Sequence, residues 1–301
     1  MPNLADTLVR SLAGLAAMPF RHLRPHQLDR QFLFSLDDFG LPPGDVVVKL
    51  RRLEQTTRTI PAFIVAEGVT TPRRVENTMA SFVVKHPEAT ILVDPSICIN
   101  VNERVLSELS PALRPLVRPD PSTIPTIEAM RLAELDSADV AFALPTHLHW
   151  DHVSGLLDLP GLPIVVRDVE HDWMTSGATA PADGVRSALV DRPVTQYRLD
   201  GPPVLTFARS HDLFGDGSVV LVDLAGHTPG SVGILLRTSD GPTLLAGDAA
   251  WHSIQIDRVR PKAAFPGRLV DADRATTLAT LHRLHAIADR VRIIPTHDPH
   301  A

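Results

Sequence analysis

A short apolar run, Val140 to Leu144, passes directly into Pro145-Thr-His-Leu-His-Trp-Asp-His152. Four potential metal ligands (His147, His149, Asp151 and His152) therefore fall within six residues at the end of a short strand, and no other feature of the chain constrains its folding as strongly. In an extended loop alternate side chains point the same way, which lets His147 and His149 converge on one ion. Asp151 and His152 stand at the next turn, where the chain enters a helix, and address a second position nearby. Imidazole and carboxylate groups without a thiolate suit Zn, Mn, Fe or Co.

The rest of the composition agrees. The single cysteine, Cys98, rules out an intrachain disulfide and a cysteine-rich zinc site, and reads as a small buried apolar residue. Fourteen histidines against one tyrosine, Tyr197, make imidazole the expected ligand type. Further ligands stand after later apolar runs: His227 in Gly226-His-Thr-Pro-Gly230, Asp248 in Ala246-Gly-Asp-Ala249, and His297 in Pro295-Thr-His-Asp298. Each is bracketed by Gly, Pro or Thr, which places them on loops at one rim of a sheet sandwich.

Along the chain, residues 1–44 read as an arm with one short helix, a polar stretch and the turn Leu41-Pro-Pro-Gly44. Leu4, Leu8, Leu12 and Leu15 recur at helical spacing, predicting an amphipathic helix docked through that stripe on the body or on a second subunit. Strands are expected at 45–50, 62–66, 80–85, 90–94, 140–144, 162–166, 219–224, 232–237, 243–246 and 291–295, and helices near 102–110, 125–136 and 273–289, the last capped by Asp273. Strands followed by helices predict an α/β protein.

The motifs THLHWDH, GHTPG, AGD and THD, in that order, resemble those of metallo-β-lactamase-fold hydrolases over about residues 60–300. The resemblance implies a four-layer αβ/βα sandwich, here a single domain over 1–301 with residues 1–40 as a helical arm. It implies a dinuclear site in which His147, His149 and His227 bind one divalent ion, Asp151, His152 and His297 a second, and Asp248 bridges them. Zinc is the expected metal, with Mn, Fe or Co as alternatives. Asp94, at the end of Thr90-Ile-Leu-Val-Asp94, matches a carboxylate that orients the site from behind its ligands. The implied chemistry is hydrolysis by a hydroxide held between the two ions, with Asp151 and Asp248 as the carboxylates at the reacting centre.

Within the family the chain is most similar to the lactonase-like group, which includes quorum-quenching N-acyl-homoserine lactonases. Asp248 argues against a true β-lactamase, and the expected substrates are lactones or carboxylic esters with an apolar tail. Hydrolysis of phosphodiesters, sulfate esters or thioesters is the alternative within the fold, and a mono-iron dioxygenase the alternative outside hydrolysis. One departure stands out: many such lactonases carry a Tyr three residues after the bridging Asp, where this chain has Trp251. Trp150 and Trp251 are candidates for a substrate-pocket wall, and His252 for a proton carrier or substrate contact. Asp298 is expected to be exposed, and His282 and His285 to be surface or helix-packing residues.

A formal charge of −6 gives no basic surface for nucleic acid, so none is expected as a partner. No apolar run is long enough for a transmembrane helix and no secretory signal is visible, so the expected location is cytoplasmic. The expected partners are a small-molecule substrate and, through the arm, a second copy in a homodimer.

Overall fold

Several strand-forming runs are apolar at consecutive positions: Phe82-Val-Val84, Ile91-Leu-Val93, Val219-Val-Leu-Val222. Such runs are stable as strands only where both faces of a sheet are covered. The computed structural model, which describes residues 4–109, 111, 114–176, 181 and 183–301, provides that cover. Its strands are β1 (Lys49–Arg52), β2 (Arg58–Pro61), β3 (Arg74–Asn77), β4 (Phe82–Lys85), β5 (Thr90–Val93), β6 (Phe142–Leu144), β7 (Ile164–Arg167), β8 (Val194–Tyr197), β9 (Ser210–Asp212), β10 (Val219–Asp223), β11 (Val232–Thr238), β12 (Gly241–Gly247) and β13 (Arg292–Pro295).

One sheet has the order β1-β4-β5-β6-β7-β8, antiparallel from β1 to β5 and parallel from β5 to β8. The other has the order β13-β12-β11-β10-β9 and is antiparallel except for the parallel pair β12–β13. β2 and β3 form a separate two-stranded ribbon.

Side-chain alternation divides the interior into layers. Phe82, Val84, Ile91 and Val93 meet Leu221, Ile234 and Leu236 between the sheets. From the opposite face of the first sheet, Val83, Leu92 and Ala143 pack on Met130, Leu148 and Trp150. From the outer face of the second, Val220, Val222 and Leu244 pack on Leu281, Leu284 and Ile287 of the helix Arg274–Ile287. The order helix, sheet, sheet, helix is the αβ/βα sandwich. At its rim, Val232 N–H donates to the Thr146 carbonyl at 3.0 Å, tying the two sheets together where the ligand loops emerge.

Three local expectations are corrected. Residues 62–66 do not form a strand; Ala62–Val65 is a helical turn. Ala62, Val65 and Ala66 bury together with Val69, Val75 and Ile254, which is helical spacing, whereas a strand would bury alternate residues. The first strand begins at Lys49, four residues later than expected, because its partner β4 pairs only with residues 49–52. The arm carries a 20-residue helix, Leu4–Leu23, and it docks by the other face. Leu8, Leu12 and Leu15 are 47%, 65% and 49% exposed, while Ser11 is only 9% exposed. At Gly14 an added Cβ would lie 2.7 Å from the Ala264 carbonyl oxygen, so small residues permit the close approach and the leucines face outward. Among the described residues no helix is long and apolar enough to cross a membrane.

The C-terminal helix starts where expected. Asp273 Oδ1 accepts from the N–H groups of Ala275 at 2.9 Å and Thr276 at 3.2 Å. Asp273 N–H in turn donates to the Gly226 carbonyl, joining the cap to the loop that carries His227. Asp273→Ala is expected to cost about 1 kcal/mol, read as a lower urea midpoint at unchanged slope.

Candidate metal centre

The ligand residues stand where strands of both sheets end. β6 leads into His147 and His149, and the helical turn Trp150–Val153, capped by His149, carries Asp151 and His152. His227, Asp248 and His297 follow β10, β12 and β13. Gly247 permits the turn before Asp248: its φ is +52°, and a Cβ there would lie 2.5 Å from Thr146 Oγ1.

All seven residues come together. His147 Nε2 lies 3.1 Å from His149 Nδ1, which lies 2.9 Å from His227 Nε2. Asp248 stands between this trio and the other ligands, with Oδ2 3.3 Å from His227 Nε2 and Oδ1 3.2 Å from His152 Nε2 and 3.0 Å from His297 Nε2. Asp151 Oδ2 lies 3.6 Å from His297 Nε2. Three sets of ligand atoms could each hold a metal ion: His147, His149 and His227; His147, His152 and Asp248; and Asp151, His152 and His297.

Each imidazole has its outward nitrogen paired. His149 Nε2 meets Asp183 Oδ1 at 2.8 Å, His152 Nδ1 meets Asp94 Oδ2 at 2.9 Å, and His227 Nδ1 meets Asp271 Oδ1 at 2.9 Å. His297 Nδ1 lies 2.6 Å from the Thr78 carbonyl and His147 Nδ1 3.1 Å from Thr146 Oγ1. The Thr146 hydroxyl donates to Asp94 Oδ2, which leaves its oxygen free to accept. With the outward nitrogens protonated, the inward ones present lone pairs. The site therefore fits divalent cations: it gathers bare acceptor atoms, and His152 Nε2 and Asp248 Oδ1 are buried without a hydrogen-bond partner.

The electrostatics show the same demand for positive charge. Burial, then the neighbouring imidazoles, hold His147 well below the usual histidine range. Burial and the Lys262 ammonium push His227 down to about 4. Burial also disfavours charge on His152, but Asp94 and Asp248 outweigh it and raise that group well above its ordinary value. Asp248, despite burial, is held well below the carboxylate range by His297 and His152. Asp248 and Asp151 likewise raise His297 against its burial.

Asp94 is buried behind the cluster, and its Oδ1 also accepts Thr146 N–H at 2.6 Å. Trp150 and Trp251 both line a cavity of about 200 Å³ that opens onto Asp151, His227, Asp248 and His297. Trp251 Nε1–H donates to Asp248 Oδ2 at 2.5 Å. His252 is not among the cavity-lining residues; it caps the helix Ser253–Arg258 and pairs with Asp298 at 3.2 Å. Asp298 is buried, against expectation, because it accepts the Ser253 and His300 N–H groups as well. His282 is buried and accepts Asp29 N–H of the arm at 2.8 Å.

Sequence reasoning missed Asp183, Asp271, Lys262 and Glu170. Glu170 is buried and accepts from Leu148 N–H, Gly230 N–H and the Thr228 hydroxyl, stapling the His147–His152 loop to the His227 loop. None of these stands in a motif.

The fold and site together define an αβ/βα sandwich protein with a histidine- and aspartate-rich centre for divalent metal ions at the sandwich rim. The metallo-beta-lactamase superfamily pattern matches residues 75–297, and the chain belongs to that superfamily. It is 26% identical over 232 residues to the N-acyl homoserine lactonase AttM of Azorhizobium caulinodans, covering 73% of this chain and 81% of AttM. The AttM lactonase of Agrobacterium fabrum is 26% identical over 234 residues, again covering 73% and 81%. Among solved structures, a quorum-quenching N-acyl homoserine lactone lactonase superposes with a TM-score of 0.61 at 17% identity, covering 86% of this chain and 95% of that one. The dizinc quorum-quenching lactonase AidC superposes with a TM-score of 0.58 at 15% identity, covering 87% and 92%.

Zinc titrated into chelator-stripped protein is expected to raise the unfolding temperature until about two equivalents are bound. Protons compete for the same imidazoles, so the apparent affinity should fall as pH drops from about 7.5 to about 5.5. Calorimetric titration at both pH values checks the stoichiometry and the sign.

Proposed function

We propose that the protein is a metal-dependent hydrolase that opens lactones or cleaves carboxylic esters with an apolar acyl group. The observation that carries this reading is the cavity beside the ligand cluster. Its wall is mainly apolar, formed by Ile60, Ile64, Leu116, Val117, Val270 and Trp251, with Arg58 and Asn77 as further polar members. Such a wall takes up an alkyl or acyl group by excluding water. The similarity to two AttM lactonases supports the same class.

In this reading His147, His149 and His227 hold one ion, Asp151, His152 and His297 the other, and Asp248 lies between them, with zinc as the expected metal. When bound, the ions supply an activated water and polarise the scissile carbonyl. The protein does the rest. The apolar wall orients the acyl group, and the five paired imidazoles keep their inward nitrogens in place. Asp151 and Asp248 also face the cavity; Asp151 is placed to pass a proton toward the leaving alkoxide, while Asp248, held well below the carboxylate range, is the poorer acid. Trp251 already gives its only side-chain N–H to Asp248. It therefore shapes the pocket rather than supplying an acid.

His149→Ala and Asp248→Ala are each expected to lower kcat/KM for a lactone by roughly 100-fold or more, with the far-ultraviolet spectrum retained. The same metal-loaded preparation should hydrolyse lactones and esters faster than phosphodiesters, sulfate esters or thioesters. A reversed preference would overturn the substrate assignment, and undiminished turnover in both variants would overturn the mechanism.

A further inference from the structure

Lys262 is the only buried lysine among the described residues, and it is fully buried. An ammonium group out of water must be matched by fixed partners. Its Nζ donates to Asp271 Oδ1 at 2.9 Å and to the backbone carbonyl of Asp248 at 2.8 Å. It also lies 3.4 Å from His227 Nδ1 and 5.1 Å from the centroid of the Trp251 ring. The loops bearing His227 and Asp248 follow different strands, and this one cation reaches both.

Asp271 Oδ1 is shared between Lys262 Nζ and His227 Nδ1, each at 2.9 Å. The carboxylate's other oxygen lies 3.4 Å from Arg274 Nη1. The ammonium therefore supplies one of the two short contacts that fix the carboxylate's rotation, and the one independent of His227, while its hold on the Asp248 carbonyl fixes the backbone on which the second ligand hangs. Its place over the Trp251 ring also favours the ring orientation in which Nε1–H reaches Asp248 Oδ2.

We propose that Lys262 is a positioning residue of the metal centre: through Asp271 it sets the direction of His227, and through the Asp248 carbonyl it sets the spacing between His227 Nε2 and the Asp248 carboxylate. This rests on the reading of these residues as metal ligands. Lys262 touches neither the scissile bond nor an ion. It acts through the two ligands, one from each loop.

The test compares wild-type full-length protein with Lys262→Met and Lys262→Gln. The measurements are zinc affinity by competition with a chromophoric chelator, the visible spectrum of the cobalt(II)-loaded protein, the unfolding temperature of the metal-free protein, and kcat and KM for a lactone. Lys262→Met is expected to weaken one of the bound ions by about 10- to 100-fold, to shift the cobalt spectrum, and to lower kcat more than it changes KM. A merely structural lysine would lower the metal-free unfolding temperature and leave affinity and spectrum alone. A folded Lys262→Met protein with zinc affinity within about twofold of wild type and an unchanged cobalt spectrum would overturn the proposal. If Lys262→Met does not fold, Lys262→Gln decides by the same titration: weakened binding of one ion beside a folded metal-free protein supports the positioning role, and unchanged binding refutes it. Should wild type bind two ions yet hydrolyse no lactone or ester, the functional assignment fails while affinity and spectrum still judge Lys262. Should it bind none, both fail.

Discussion

The structure depends on the pairing of imidazole nitrogens that face away from the centre. Left free, a histidine side chain can present either nitrogen and rotate about its χ angles. Here Asp94, Asp183, Asp271, the Thr78 carbonyl and the Thr146 hydroxyl each take an outward nitrogen, leaving five inward nitrogens with one orientation and lone pairs exposed. Bare acceptors at about 3 Å from one another repel unless a proton or a metal ion lies between them. The folded chain therefore maintains an electrostatic demand that only positive charge satisfies. The burial of Asp248 and His152 sharpens it by excluding the water that would otherwise screen it.

The sandwich supplies the rigidity that this demand requires. The gathered residues come from the ends of four strands in two sheets, and all of their partners but Thr146 come from still other segments. Asp94 follows β5, Thr78 follows β3, Asp183 lies on a loop, and Asp271 precedes the C-terminal helix. Glu170 joins two ligand loops from below, and the Val232–Thr146 bond joins the two sheets at the same rim. No single loop could keep seven side chains in register against their own repulsion; the strand ends, each anchored in an apolar layer, can.

The residues that gather at the candidate centre were legible in the sequence and most of their partners were not, for a physical reason. His147 to His152, His227, Asp248 and His297 each follow an apolar run, so position along the chain already places them at a strand end. Asp94 was legible only through the family resemblance. Asp183, Asp271 and Lys262 owe their roles to tertiary proximity alone, and nothing local separates Asp271 from the helix-capping Asp273 two residues on. Layers were legible where strands are apolar on both faces. The turn at 62–65 was not, because a five-residue apolar run fits strand and helix alike until its neighbours decide. In the N-terminal helix the leucine stripe was the obvious docking face, yet close approach to the segment Ala264–Val270 selects Ser11 and Gly14, because backbone can approach backbone only where side chains are small. Asp298 was expected in water and is instead buried, since two backbone N–H groups and His252 replace its hydration.

The pocket wall and the metal centre share a residue, and this limits how the protein can vary. Trp251 faces the cavity, donates to Asp248 Oδ2 and lies against the Lys262 ammonium, which in turn holds Asp271 and, through it, His227. A smaller side chain at this position would widen the space for an acyl group, but it would also release one oxygen of the central carboxylate and uncover a buried cation. A tyrosine there would present a hydroxyl to the site in place of the indole N–H, a different donor on a different ring. Acyl-group preference and ligand geometry are therefore not independent properties of this chain: a change that reshapes the wall at Trp251 also acts on the carboxylate beside it.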